Sequence, residues 1–99
     1  MEKKRLDGVT KISQINLDRI TQLKESGYEP NDYIISLALD LLEQKGGGEG
    51  INTKPNRTTK ISSKTLSRIA KLKPSGYEPN DYIIAKALNL LEKQKGVKR

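Results

Sequence analysis

The side chains with chemistry to offer in this chain are cations. Its 99 residues hold 19 Lys and Arg against 12 Asp and Glu, a formal net charge of +7, and contain neither His nor Cys. The commonest general base, the thiolate nucleophile and the usual nitrogen and sulfur metal ligands are therefore all missing. Catalysis would have to rest on paired carboxylates or an activated lysine in a pocket, and so short a chain has little interior in which to build one. Neither an enzyme nor a bound metal or other cofactor is expected. What the cations can do is hold a polyanion, nucleic acid first.

Their placement is uneven. Residues 1–49 carry 7 Lys/Arg and 9 Asp/Glu, a net of −2, whereas residues 50–99 carry 12 and 3, a net of +9. Lys11 and Arg19 recur 49 positions later as Lys60 and Arg68. Taken alone, Lys11 and Lys60 read as well as solubilising charges on an exposed strand. Arg19 and Arg68 read first as members of a solvated helix face, and the unequal halves as mutual attraction.

The elements that must position these cations come in two copies. Ser26 to Ile35 recurs letter for letter as Ser75 to Ile84, and residues 10–45 match residues 59–94 at 24 of 36 positions without a gap. Such self-similarity makes the chain two copies of one unit. A unit of about 38 residues buries too little surface to fold alone, so the copies must pack on each other or on another chain.

Each copy opens with a short alternating β-branched stretch, residues 9–13 and 57–62, that predicts a half-buried strand. Ser13 or Asn16 is the expected cap of the helix that follows. Leu17, Ile20 and Leu23, then Leu66, Ile69 and Leu72, make one apolar stripe on a helix of under three turns. Pro74, in place of Glu25, should end the second of these early, near Lys73. Gly27 and Gly76 are expected as left-handed residues closing these helices. Pro30 and Pro79 fit the first turn of the next, where Asn31, Asp32, Asn80 and Asp81 set acceptors near orphan N–H groups. Tyr28, Tyr33, Tyr77 and Tyr82 are expected to pack with their hydroxyls wet. The second helix, from Tyr33 to Leu42 and again from Tyr82 to Leu91, is apolar around much of its circumference and should form the core. Lys86 replaces Leu37, which predicts an exposed position there and makes Leu37 a candidate spot for self-association or a protein partner.

These boundaries divide the chain into a basic arm (1–8), a first repeat (9–45), a Gly-rich linker (46–56), a second repeat (57–94) and a basic tail (95–99). No apolar run approaches the ~20 residues of a membrane span. No apolar stretch follows the basic start as in a secretory signal. The expectation is a cytoplasmic protein that does not engage membranes.

A strand, a short helix, a Gly-containing turn and a longer apolar helix resemble the ribbon-helix-helix superfamily of DNA-binding proteins. The motif is Ile12…Leu17-x-x-Ile20-x-x-Leu23-x-x-x-Gly27-x-x-x-Asn31-x-x-Ile34-x-x-x-Ala38-x-x-x-Leu42. It recurs from Ile61 through Leu66, Ile69, Leu72, Gly76, Asn80, Ile83 and Ala87 to Leu91. The resemblance implies a mostly α fold with a short two-stranded antiparallel β-ribbon, the two β-α-α units forming a pseudo-dimer within one chain. It implies sequence-specific binding of double-stranded DNA, with the ribbon in the major groove, by a repressor or a plasmid or phage copy-control regulator. Carried over, Val9, Lys11, Thr58 and Lys60 would read bases. A one-residue slip would hand that task to Thr10 and Thr59. Asn31, Asn80, Arg57 and Arg68 would contact phosphate. Two departures stand out. The family usually carries one unit per chain, and here Glu29, Asp32, Glu78 and Asp81 crowd the phosphate anchor unless they turn inward as caps. The alternative function is a protein-interaction module, an antitoxin-like helical bundle binding an acidic protein.

Overall fold

The computed structural model describes residues 6–46 and 53–96. The basic start (1–5), most of the Gly-rich tract (47–52) and the end of the tail (97–99) lie outside the described residues. The element order is β1 (Gly8–Ile12), α1 (Gln14–Leu23), α2 (Asn31–Lys45), β2 (Arg57–Ile61), α3 (Ser63–Lys71) and α4 (Asn80–Lys95). The protein is thus mostly helical with one two-stranded sheet. No helix among the described residues is long and apolar enough to cross a membrane.

β1 and β2 pair antiparallel, with Thr10 opposite Thr59 at the centre, Val9 opposite Lys60 and Lys11 opposite Thr58. Side chains alternate faces along a strand, so Ile12 and Ile61 point inward together and are fully buried. Ser13 and Ser62 cap α1 and α3, each hydroxyl accepting the N–H of the third residue on. Of the two caps considered for α1, Ser13 is the one used. Asn16 is buried within the helix. α3 stops at Lys71, one residue short of the repeat-equivalent end of α1 and two before the expected stop.

Two joint positions in each copy differ from expectation. Gly27 and Gly76 do take positive φ, 85° in each. They lie well past the ends of α1 and α3, however, so they form the turn and do not close a helix. Pro30 and Pro79 are the residues before α2 and α4, extended at φ near −67° and −66°, and contribute no side-chain cap.

The core is one cluster with contributions from both halves. Ile20, Leu23, Ile34, Ile35, Ala38, Leu39 and Leu42 meet Ile69, Ile83, Ile84, Ala87, Leu88 and Leu91 where α2 packs on α4. Leu37 is half-buried and packed against this cluster, so it is no exposed apolar spot. Lys86 at the matching place is also half-buried, its ammonium 5.8 Å from the centre of the Tyr82 ring. A long stem lying along apolar surface with its charge at the rim explains how Lys stands where the first copy has Leu.

Candidate nucleic-acid interface

The alternation of β1 and β2 gives the sheet a covered face and an open one. Val9, at 61% exposure, shares the open face with the exposed side chains of Lys11, Thr58 and Lys60. Thr10, at 5% exposure, and half-buried Thr59 lie on the covered face, so the slipped register that would turn them outward is not the one adopted. Their hydroxyl oxygens accept from Asn80 Nδ2 at 2.8 Å and Asn31 Nδ2 at 2.9 Å. Each asparagine therefore ties the start of a long helix to the strand of the other half, and its amide is engaged within the protein. Of the first-turn N–H groups, those of Tyr33 and Tyr82 donate to the Pro30 and Pro79 carbonyls at 3.0 Å. The two N–H groups before each, without an acceptor inside the helix, are what a helix start can offer a ligand there.

Shallow grooves run along the ribbon. One is lined by Lys11, Pro55, Asn56, Arg57 and Thr58, the other by Val9, Thr10, Lys11, Pro55, Pro79 and Asn80. Arg57, exposed at the start of β2, stands at the ribbon edge opposite Ile12. Arg68 lies elsewhere, on α3. It donates to Glu43 from Nε at 3.0 Å and Nη2 at 2.9 Å, and also to Asp40. The hydrogen bond to Glu43 holds the guanidinium pKa above its usual value and the Glu43 carboxyl below its own.

The acidic residues beside the helix starts turn inward, though not to cap their own helices. Asp32 Oδ1 accepts from the backbone N–H and the hydroxyl of Ser62, at 3.0 and 3.2 Å. Asp81 Oδ1 accepts from Ser13 N at 2.8 Å and Asn16 Nδ2 at 2.7 Å, and its other oxygen takes the Thr53 hydroxyl. Both carboxylates are buried against the N-terminal end of the other half's first helix, where the helix dipole favours negative charge. Glu29 folds back on its own turn and accepts from Glu25 N, Ser26 N and the Ser26 hydroxyl. Its backbone N–H, the Ser26 hydroxyl and the neighbouring N–H groups hold its pKa at about 2.

Sequence reasoning missed a second pair of clamps. Asp7 accepts from Ser63 N at 2.8 Å and the Ser63 hydroxyl at 3.1 Å, and Asn56 Oδ1 accepts from Gln14 N at 3.3 Å. The two are 49 positions apart and each reaches the first helix of the opposite half. An Asx residue placed identically before both strands was the available signal. Arg19 also differs from expectation. It is 2% exposed and donates to both carboxylate oxygens of Glu92, to Asn16, to Asn89 and to the Ala85 carbonyl, so it belongs to the interior and not to a solvated face. Tyr28 and Tyr77 are each 92% exposed, which overturns their assignment to packing; Tyr82 alone packs on the core.

Among the described residues no group of His, Cys, Asp and Glu is arranged to hold a metal. No protein-family model, curated protein or solved structure matches this chain.

Proposed function

We propose that this protein binds double-stranded DNA in a sequence-specific way, as a small transcriptional regulator built on ribbon-helix-helix lines. In this reading the two repeats act as a pseudo-dimer within one chain. The observation that supports it is the open face of the ribbon, where Val9, Lys11, Thr58 and Lys60 stand together in an antiparallel register. Two strands ~4.8 Å apart, with side chains on one face, are narrow enough for a major groove ~12 Å wide. Five residues at ~3.4 Å each give a blade of about 17 Å, the reach of a few base pairs on either side of the centre. A net charge of +7 supplies the long-range attraction.

Each residue has a role in this reading. Lys11 and Lys60 donate to guanine O6 and N7, Thr58 bonds a base edge or touches a thymine methyl, and Val9 can only touch a methyl. Arg57 reaches phosphate from the ribbon edge. The starts of α2 and α4 dock on phosphate through backbone N–H groups, since the Asn31 and Asn80 amides hold the threonines. Arg68 is left out, because Glu43 and Asp40 already occupy its donors.

Selection from random duplexes followed by gel shift tests this. Affinity for the selected site should fall at least ~tenfold between ~50 and ~200 mM salt. Lys11→Ala with Lys60→Ala should remove the preference for that site while weak binding to bulk DNA survives. Equal loss on all sequences would make these lysines phosphate contacts only, and no shift on any duplex would refute DNA binding.

A further inference from the structure

The two ends of the ribbon are not equivalent, although the repeat makes them look so. Antiparallel pairing about Thr10 and Thr59 puts Lys11, Thr58 and Arg57 at one end, and Val9, Lys60 and Gly8 at the other. Asn56 precedes the strand at the first end, and Asp7 precedes it at the second. Among the described residues, the first end offers Lys11 and Thr58 on the open face with Arg57 at its edge, and the second offers Lys60 and Val9 with the Asp7 carboxylate before the strand.

Packing keeps this difference in place. A Cβ at Gly8 would lie 2.8 Å from Leu66 Cδ1 and 3.1 Å from the Ile61 carbonyl oxygen, so the arginine that its repeat equivalent, Arg57, carries would fit here only with the Leu66 side chain turned aside and the Ile61 carbonyl slightly shifted. Asp7 is likewise committed, since its carboxylate receives the N–H and hydroxyl of Ser63 at the start of α3. Val9, by contrast, has no packing reason to be apolar, being 61% exposed on the open face. An exposed valine beside an exposed lysine suits a methyl-bearing surface, and its counterpart Thr58 suits a hydrogen-bonding one.

We propose that the ribbon lies on DNA with a single polarity. The Lys11–Thr58–Arg57 end takes a half-site rich in guanine acceptors, and the Val9–Lys60 end takes one with a thymine methyl against Val9. This rests on the DNA-binding reading above. A homodimer of identical units meets a palindrome equally in both directions; this chain distinguishes its two ends. A bidentate base contact present in one orientation and absent in the other favours the first by about tenfold or more. The bound regulator would then face one defined direction along its operator and present different helices to whatever is bound on each side.

The chain has no cysteine, so one introduced residue takes a label cleanly. Ile15 on α1 and Lys64 on α3 are repeat equivalents, both exposed, beside opposite ends of the ribbon. Ile15→Cys and Lys64→Cys, each carrying an iron chelate that generates hydroxyl radicals, would be bound to the duplex selected from a random pool. Each label should cleave one end only, the Ile15 label at the guanine-bearing half and the Lys64 label at the other. Asp7→Asn and Val9→Thr together with Arg57→Gly even the two ends and should bring cleavage by either label to both. Equal cleavage at both ends by the labelled but otherwise unaltered protein would overturn the polarity and leave DNA binding standing. If no duplex is selected at all, both readings fail.

Discussion

Arg19 and Arg68 occupy the same place in the two repeats, yet truncating them should have very different costs. The Arg19 and Glu92 side chains are 2% and 7% exposed, and the guanidinium makes both its Glu92 contacts at 2.9 Å. It also satisfies the Asn16 and Asn89 oxygens at 3.0 and 2.6 Å. Arg19→Ala would break a buried ion pair by removing one partner and with it both guanidinium contacts to Glu92, which costs about 3–5 kcal/mol. Arg68 is 22% exposed and its partners Asp40 and Glu43 are 56% and 40% exposed, so water replaces what the pair loses. Arg68→Ala should cost no more than about 1 kcal/mol. Urea unfolding followed by far-ultraviolet circular dichroism measures both. Domains of this size have roughly 5–15 kcal/mol in all, so Arg19→Ala should lose a large part of its transition midpoint. Arg19→Met with Glu92→Met, which removes both charges and keeps the volume apolar, should cost clearly less than Arg19→Ala alone. Single truncations within about 1 kcal/mol of each other would refute the reasoning, because the burial difference is the whole of it.

Two further outcomes follow from the joint. Ala at Gly27 or Gly76 meets nothing within 4 Å, so its cost is purely that of holding φ at 85°, about 1 kcal/mol each and additive across the two sites; a stabilising effect in thermal melts would contradict this. The Glu29 carboxyl should titrate near pH 2 and not at the ordinary 4.5. Because its folded value is depressed, its contribution is fully present above pH about 4.5 and is lost as pH falls towards and through 2. Glu29→Gln should flatten the acid limb of stability in that window, and a carboxyl-carbon NMR midpoint near 4.5 would rule the hydrogen-bonded turn out.

The parts of the fold that period and punctuation encode were legible. Alternation around Ile12 and Ile61 marked the strands, threefold spacing of Leu17, Ile20 and Leu23 marked the first helix, and the Gly–Pro joint separated it from the second. Interactions between the halves were not legible, because local sequence does not carry them. The identical decapeptides show this best: Tyr33 is 49% exposed while Tyr82 packs on the core, under an ammonium that the first copy lacks. Asp32 and Asp81 looked like caps for their own helices, since position alone gave them that role. Only the fold shows the Ser62 and Ser13 N–H groups arriving from 30 and 68 residues away. At the ribbon, sequence supplied which side chains alternate, and pairing supplied which four of them share an open face.

Joining the two repeats in one chain also changes which charges can be buried. Position 19 faces positions 89 and 92, and position 68 faces positions 40 and 43. If two first repeats paired with each other, each Arg19 would meet Asp40 and Glu43, one cation against two carboxylates. Crossing the repeats gives Arg19 a single carboxylate, Glu92, with neutral Asn89 beside it. That is the balanced set, and it is the one that is buried. The surplus carboxylate falls to Arg68, and that set stays in contact with water. A buried unpaired charge costs several kcal/mol where an exposed one costs little, so this division favours the crossed pair over two first repeats. The halves' net charges of −2 and +9 push the same way, since two second repeats would bring like charge together. The same crossing brings strands of different composition side by side, so the preference for unlike partners and the unequal ends of the ribbon have one origin.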